Sequence, residues 1–266
     1  MEHLKKLLEE GYIFNWRLYF LNGWQIFRKH TSSYMGFFVI STFIGLFLSL
    51  IPGIGALLAT FWINPVLSTG YFFATKSILE NGTASFNDFF KGFKFSLPLI
   101  GITAISYFIY ILVFSPTIYQ LYQSGIFEWY QEIMKNPLEP PTELPSMNEK
   151  LSTLFFLNLI PIIFLWVSFL FSSLFAIFEN LGAWKSLEWS RTIIFKRWWS
   201  FFRWALTFVS LFFLAYFPAA LIAMVSPTIG IIVLLILIIL ALLILVPIFY
   251  ISLYLGYLDI TAPKSS

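Results

Sequence analysis

The chain has 266 residues, 59% of them hydrophobic and only 11% charged, with a net charge of +3 and no cysteine. A water-soluble domain usually carries about a quarter charged residues, so the composition excludes an ordinary soluble globule. The missing thiols exclude disulfides, thiolate catalysis and cysteine-ligated metal sites.

Residues 1–30 interleave Tyr12, Phe14, Trp16, Tyr19, Phe20, Trp24 and Phe27 with Arg17, Arg28 and Lys29. Rings mixed with basic side chains suit the headgroup layer, so this segment is expected at the membrane surface. Its charges run throughout and no small-residue cleavage site follows a short apolar core, so the first span is expected to act as an uncleaved anchor. Thr31–Thr75 then contains no Asp, Glu, Lys or Arg. A crossing helix takes roughly 20 apolar residues, and this stretch accommodates two, at about 34–51 and 54–78. Pro52-Gly53-Ile54-Gly55 makes the turn between them, and Glu80-Asn81-Gly82 ends the second, because Asn and Gly tolerate the left-handed conformation that stops a helix.

A second aromatic and charged segment, at about 84–94, carries Lys91 and Lys94. The third span is expected at about 97–119. The loop 123–150 is acidic and contains Pro137, Pro140, Pro141 and Pro145, and Ile126–Met134 within it reads as a short surface helix. The fourth span, at about 151–177, ends in Glu179-Asn180-Leu181-Gly182. From 183 to 203, Lys185, Thr192, Lys196 and Arg203 fall on one side of a helix turning about 100° per residue, and Leu187, Ile194, Trp198 and Phe201 fall on the other. Spans five and six, at about 204–225 and 228–254, are divided at Ser226-Pro227, and 259–266 forms a tail. Runs such as Ile229–Val246 do not alternate apolar with polar residues, which favours helices over barrel strands. The expected fold is therefore all-α: six transmembrane helices as three hairpins, each preceded by an aromatic-rich interfacial helix on the cytoplasmic side. That unit reads as an internal repeat.

Of the 16 Lys and Arg residues, all but Lys135 and Lys150 lie on one side of a six-span arrangement. Basic flanks stay in the cytoplasm, which places both termini inside and the acidic loop outside.

Few residues carry chemistry. His3 and His30 are isolated and make no metal site. Asn64 and Asn158 are the notable polar residues inside spans, each beside a proline (Pro65, Pro161) whose missing N–H frees a carbonyl that a nearby amide can satisfy. A substrate pathway is the alternative reading of both. Glu80, Glu179 and Asp259 end even-numbered spans: they are helix ends at the water boundary, or else they form a ring of acids gating a pore or pair with Lys76, Lys185 or Arg191. Ser41, Gly45 and Ser49 have the spacing of a close helix contact, as do Ser168, Ser172 and Ala176. No nucleotide-binding, zincin or nucleophile-elbow motif appears, so no cofactor, metal or nucleic acid is expected.

The chain resembles the YciC-like uncharacterised bacterial inner-membrane proteins and the related membrane domain attached to some glycerophosphodiesterases. The resemblance rests on Pro52-Gly53-Ile54-Gly55, Gly70, Phe86-Asn87-Asp88-Phe89-Phe90-Lys91-Gly92-Phe93, Glu179 through Leu187, Ser190 and Trp198-Trp199. It spans about Gly36–Gly256 and implies a six-helix membrane protein without an established activity or catalytic residue.

Two readings of function follow. One is a non-enzymatic scaffold or accessory subunit that contacts lipid headgroups or a protein partner, a second copy of itself included, through Arg17, Arg28, Lys29, Lys91, Lys94, Lys196, Trp198 and Arg203. The other is a transporter or channel for an apolar or zwitterionic substrate, with Asn64 and Asn158 along its path. The orientation is checked by a reporter fused after Ser266, which should be active only in the cytoplasm. Activity outside the membrane would reverse it.

Overall fold

The structure, a computed structural model, describes residues 2–135 and 149–261, and every regular element among them is helical. In chain order these are α1 (Glu2–Glu10), α2 (Trp16–Lys29), α3 (Thr31–Ser49), the short α4 (Gly55–Leu58), a π-helical turn (Ala59–Ile63) and α5 (Asn64–Asn81). A 3-10 helix (Phe86–Phe95) precedes α6 (Ser96–Gln123), α7 (Ile126–Lys135) and α8 (Glu149–Ser168). The series ends with α9 (Ser172–Phe178), α10 (Ala183–Phe195), α11 (Trp198–Val225) and α12 (Pro227–Thr261). Six helical stretches are long and apolar enough to cross a membrane: Thr31–Ser49, Gly55–Asn81, Phe86–Gln123, Lys150–Phe178, Trp198–Met224 and Thr228–Thr261.

Several boundaries differ from the sequence reading. The segment at 183–203 breaks at Lys196 and Arg197, and its last residues are the first turns of α11. The segment at 84–94 is a 3-10 helix that runs directly into α6. Asp259 lies within α12, whose hydrogen bonding continues to Thr261. The two helix stops sit where the Asn and Gly residues predict them. Gly82 is left-handed at φ 78° and returns its N–H to the Ile78 carbonyl, and Asn180 adopts φ 52°. The proline-rich part of the outside loop, 136–148, lies beyond the described residues, as does the tail after Thr261.

The chain forms two compact units, Met1–Thr103 with Val167–Ser266, and Ala104–Trp166. In the first unit the core gathers around the C-terminal half of α12. Ile248, Ile251, Leu253, Tyr254, Tyr257 and Ile260 are buried there, while Leu235, Ile236, Ile239 and Leu240 in the other half are exposed. Aromatic rings fill the space between helices. Tyr71 stacks on Tyr250 at 5.1 Å and nearly parallel, and Phe37 stacks on Phe89 at 4.4 Å. Phe171 and Phe175 meet Tyr257 edge-on.

The aromatic N-terminal segment belongs to this core. Tyr12, Phe14, Tyr19 and Phe27 are buried, whereas Ile13, Leu18, Leu21 and Trp24 stay exposed. The sequence places the whole ring set in the headgroup layer; half of it packs between helices because α2 lies along α12. Gly23 permits that approach, since a Cβ there would sit 2.5 Å from the Ser252 hydroxyl. Phe14 then stacks on Phe201 at 3.8 Å. Gly70 and Gly92 do the same for the 3-10 helix against α5: a Cβ on Gly70 would strike the Phe89 carbonyl, and one on Gly92 the Thr69 hydroxyl.

The second unit holds the rest of α6, α7 and most of α8. Here Asn158 donates to the Thr117 hydroxyl at 2.7 Å, and Phe114 meets Phe155 edge-on at 5.8 Å. Asn158 is thus satisfied by a neighbouring helix rather than by a carbonyl freed at Pro161.

Gly70→Ala should destabilise the protein in detergent by about 2–3 kcal/mol, because backbone must move to admit the methyl group. Gly36→Ala, with open space around it, should be neutral or stabilising by up to about 1 kcal/mol. Thermal melting of the two variants side by side checks this contrast.

Candidate functional site

The basic residues singled out by sequence divide into two groups. Lys91 is committed: its ammonium lies 2.5 Å from Asp88, whose carboxylate also accepts the Ser85 N–H and closes a capping box. Lys196 is committed as well, donating to the Leu8 carbonyl. Arg28, Lys29, Lys94, Arg17 and Arg203 are exposed. Arg28 and Lys29 occupy the last turn of α2, where cations complement the helix dipole. The Arg17 guanidinium lies 5.3 Å from the Trp16 ring centroid. Trp198 is half-buried and stacks on Phe202 at 5.0 Å.

Arg197 carries a role that charge counting missed. Its Nε donates to the Tyr12 carbonyl at 3.1 Å, while the Tyr12 hydroxyl donates to the Ile193 carbonyl at 2.7 Å. Together with Lys196 these bonds fasten the end of α1 and the linker after it to the α10–α11 break. Each of the three acids has a partner. Asp259 accepts from Tyr19 at 2.5 Å, Glu179 accepts from Tyr257 at 2.9 Å, and Glu80 lies 3.9 Å from Lys76 in its own helix. Among the described residues no three of His, Asp and Glu come together to hold a metal ion.

Two concave features among the described residues bear on the site. The first is a groove of about 450 Å³ running along α11, lined by Trp16, Arg203, Leu206, Thr207, Ser210, Leu211 and Leu214. The α11 positions recur at three- and four-residue intervals, so they form one helical stripe with the guanidinium at its end. At 1.5 Å per residue the stripe is about 16 Å long, roughly half the hydrocarbon thickness. This periodicity was visible in the sequence from Arg203 onward; the contribution of Trp16, distant in the chain, was not.

The second is a cleft of about 260 Å³ between α3, α5 and α12, lined by Phe38, Ser41, Thr42, Asn64, Leu67, Ser68, Tyr71, Val246 and Tyr250. It brings Asn64, but not Asn158, into a concave polar site. Pro65 cannot donate to the preceding turn, and the helix responds by widening: the Asn64 N–H bonds to the Ala59 carbonyl, five residues back. The Asn64 side chain does not repair the backbone, as the sequence reading has it. Ser68 donates to the Pro65 carbonyl at 2.8 Å.

Burial holds the Tyr12 and Tyr19 phenols above their ordinary value of 10.0, and for Tyr19 the hydrogen bond to Asp259 adds to it. Both therefore stay neutral in the folded protein where an unfolded chain would ionise. Their stabilisation is intact below pH 10 and declines as pH rises beyond it, by about 1.4 kcal/mol per pH unit per phenol. Melting temperature should fall above pH 10, and less steeply in Tyr12→Phe/Tyr19→Phe than in the wild type.

The chain finds no match among family models, curated proteins or solved structures.

Proposed function

We propose that this is a multi-pass membrane protein of non-enzymatic type that holds an anionic phospholipid at its basic end, as a scaffold or accessory subunit of a YciC-like kind in a bacterial inner membrane. The observation that carries this reading is the groove on α11. Its polar end has the Arg203 guanidinium beside Trp16, with Arg17 over the same indole, and its floor is Leu206, Leu211 and Leu214. A phosphate on the arginines and an acyl chain along the leucines fit that order of chemistry, and the length matches one leaflet. The exposed Arg28, Lys29 and Lys94 add to the same field. With the basic flanks inside, both termini lie in the cytoplasm, the hairpins pair α3 with α5 and α11 with α12, and the aromatic segments lie at the inner leaflet.

The exposed Asn64 in its cleft favours a second reading, passage of an apolar or zwitterionic substrate. That reading requires the cleft to communicate with both surfaces.

Each basic residue near an anionic surface contributes about 1 kcal/mol, equivalent to about fivefold in affinity. Arg17→Ala/Arg203→Ala should therefore lower retention of phosphatidylglycerol relative to phosphatidylethanolamine by about 25-fold, read by mass spectrometry of the purified protein in detergent. Leu211→Trp, which fills the groove, should reduce retention of both. Unchanged phosphatidylglycerol binding in the arginine variant would refute the reading.

A further inference from the structure

We infer that the cleft at Asn64 is a second binding site, for the hydroxyl group of an uncharged lipid that enters sideways from the bilayer. The inference does not rest on the Arg203 groove.

Depth comes first. Asn64 lies nine residues into the 27-residue stretch Gly55–Asn81, about 14 Å along the helix axis and so near the middle of the hydrocarbon. An amide there is costly unless it finds a hydrogen-bond partner. Within the described residues, the Asn64 amide and the Thr42 hydroxyl have no hydrogen-bonding partner. The two serines of the cleft are paired, Ser41 donating to the Phe38 carbonyl at 2.9 Å and Ser68 to the Pro65 carbonyl. At the open side of the cleft the unused capacity is two N–H donors and a carbonyl on Asn64, and one hydroxyl on Thr42.

The walls define the ligand. The cleft has no charged residue in its lining, so it offers nothing to neutralise a phosphate, carboxylate or ammonium at a depth where an unpaired ion is strongly disfavoured. A ligand hydroxyl, by contrast, both donates and accepts, and it complements an amide on one side and a threonine on the other. The entrance defines the route. Asn64 and Thr42 are both exposed, and the nearby surface of α3 is apolar, with Phe43 68% and Leu46 60% exposed. A mouth rimmed by such side chains faces acyl chains, which selects an amphiphile over a water-borne polyol. The widened turn at Ala59–Ile63 is what turns Asn64 toward that mouth, and such turns are frequent at functional sites.

The test uses the full chain in nanodiscs with two photoreactive probes that carry the diazirine near the glycerol: a diacylglycerol and a phosphatidylglycerol. The diacylglycerol probe should label peptides containing residues 38–42 or 64–71, with the phosphatidylglycerol probe labelling them several-fold less. Asn64→Leu removes the amide at similar volume and should reduce diacylglycerol labelling by about two- to tenfold, the span for one or two lost hydrogen bonds. Thr42→Val should act in the same direction. Asn64→Gln, which keeps the amide, separates loss of binding from loss of fold by restoring part of the labelling. Arg203→Ala should leave diacylglycerol labelling unchanged, while Asn64→Leu should leave phosphatidylglycerol retention unchanged. Equal labelling of the cleft by both probes, or wild-type labelling in Asn64→Leu, would overturn the inference. So would a disulfide cross-link between two copies of Asn64→Cys, since a protein would then be the occupant.

Discussion

Inside a bilayer, helices have no water to escape from, so association has to come from close packing and from polar side chains. This chain meets that constraint with aromatic rings. Tyr34, Phe37, Tyr71, Phe89, Phe171 and Phe175 are buried between helices, together with the C-terminal half of α12, and the phenols among them and around them also reach polar partners. Tyr34 shares a 2.9 Å hydrogen bond with Thr75, Tyr12 donates to a backbone carbonyl, and Tyr19 and Tyr257 donate to carboxylates. A ring that is apolar along its faces and polar at its tip performs both tasks with one side chain. The glycines at 23, 70 and 92 let the backbones come close enough for those rings to engage.

The two concave features follow from what that core leaves uncovered. The Arg203 stripe is the face of α11 turned away from α12, open except where Trp16 closes one end. The Asn64 cleft lies between α3, α5 and α12, beside Pro65 and the π-helical turn. One feature pairs positive charge with an apolar floor, and the other pairs neutral hydrogen-bonding groups with an apolar rim. They offer different chemistry to different parts of an amphiphile.

Much of this architecture was legible in the sequence because the governing signals are local. Charge-free runs mark the spans, and Gly82 and Asn180 mark the stops. The partners of the charged residues were not legible, because they depend on contacts far along the chain. Nothing near Lys196 or Arg197 announces that they bond to Leu8 and Tyr12, and nothing near Asp259 announces Tyr19. Asn64 was identifiable as an unusual polar residue. Its outward turn was not, since whether a proline is accommodated by a kink, a side-chain bond or a widened turn depends on neighbouring helices.

The docking of α2 on α12 also bears on how the protein assembles. Tyr19 and Asp259 are separated by 240 positions, so the segment around Tyr19 is synthesised long before the helix on which it is seated. Until that helix is inserted, the early rings have no pocket to enter. Closure of the core thus waits for the insertion of α12 rather than proceeding helix by helix along the chain.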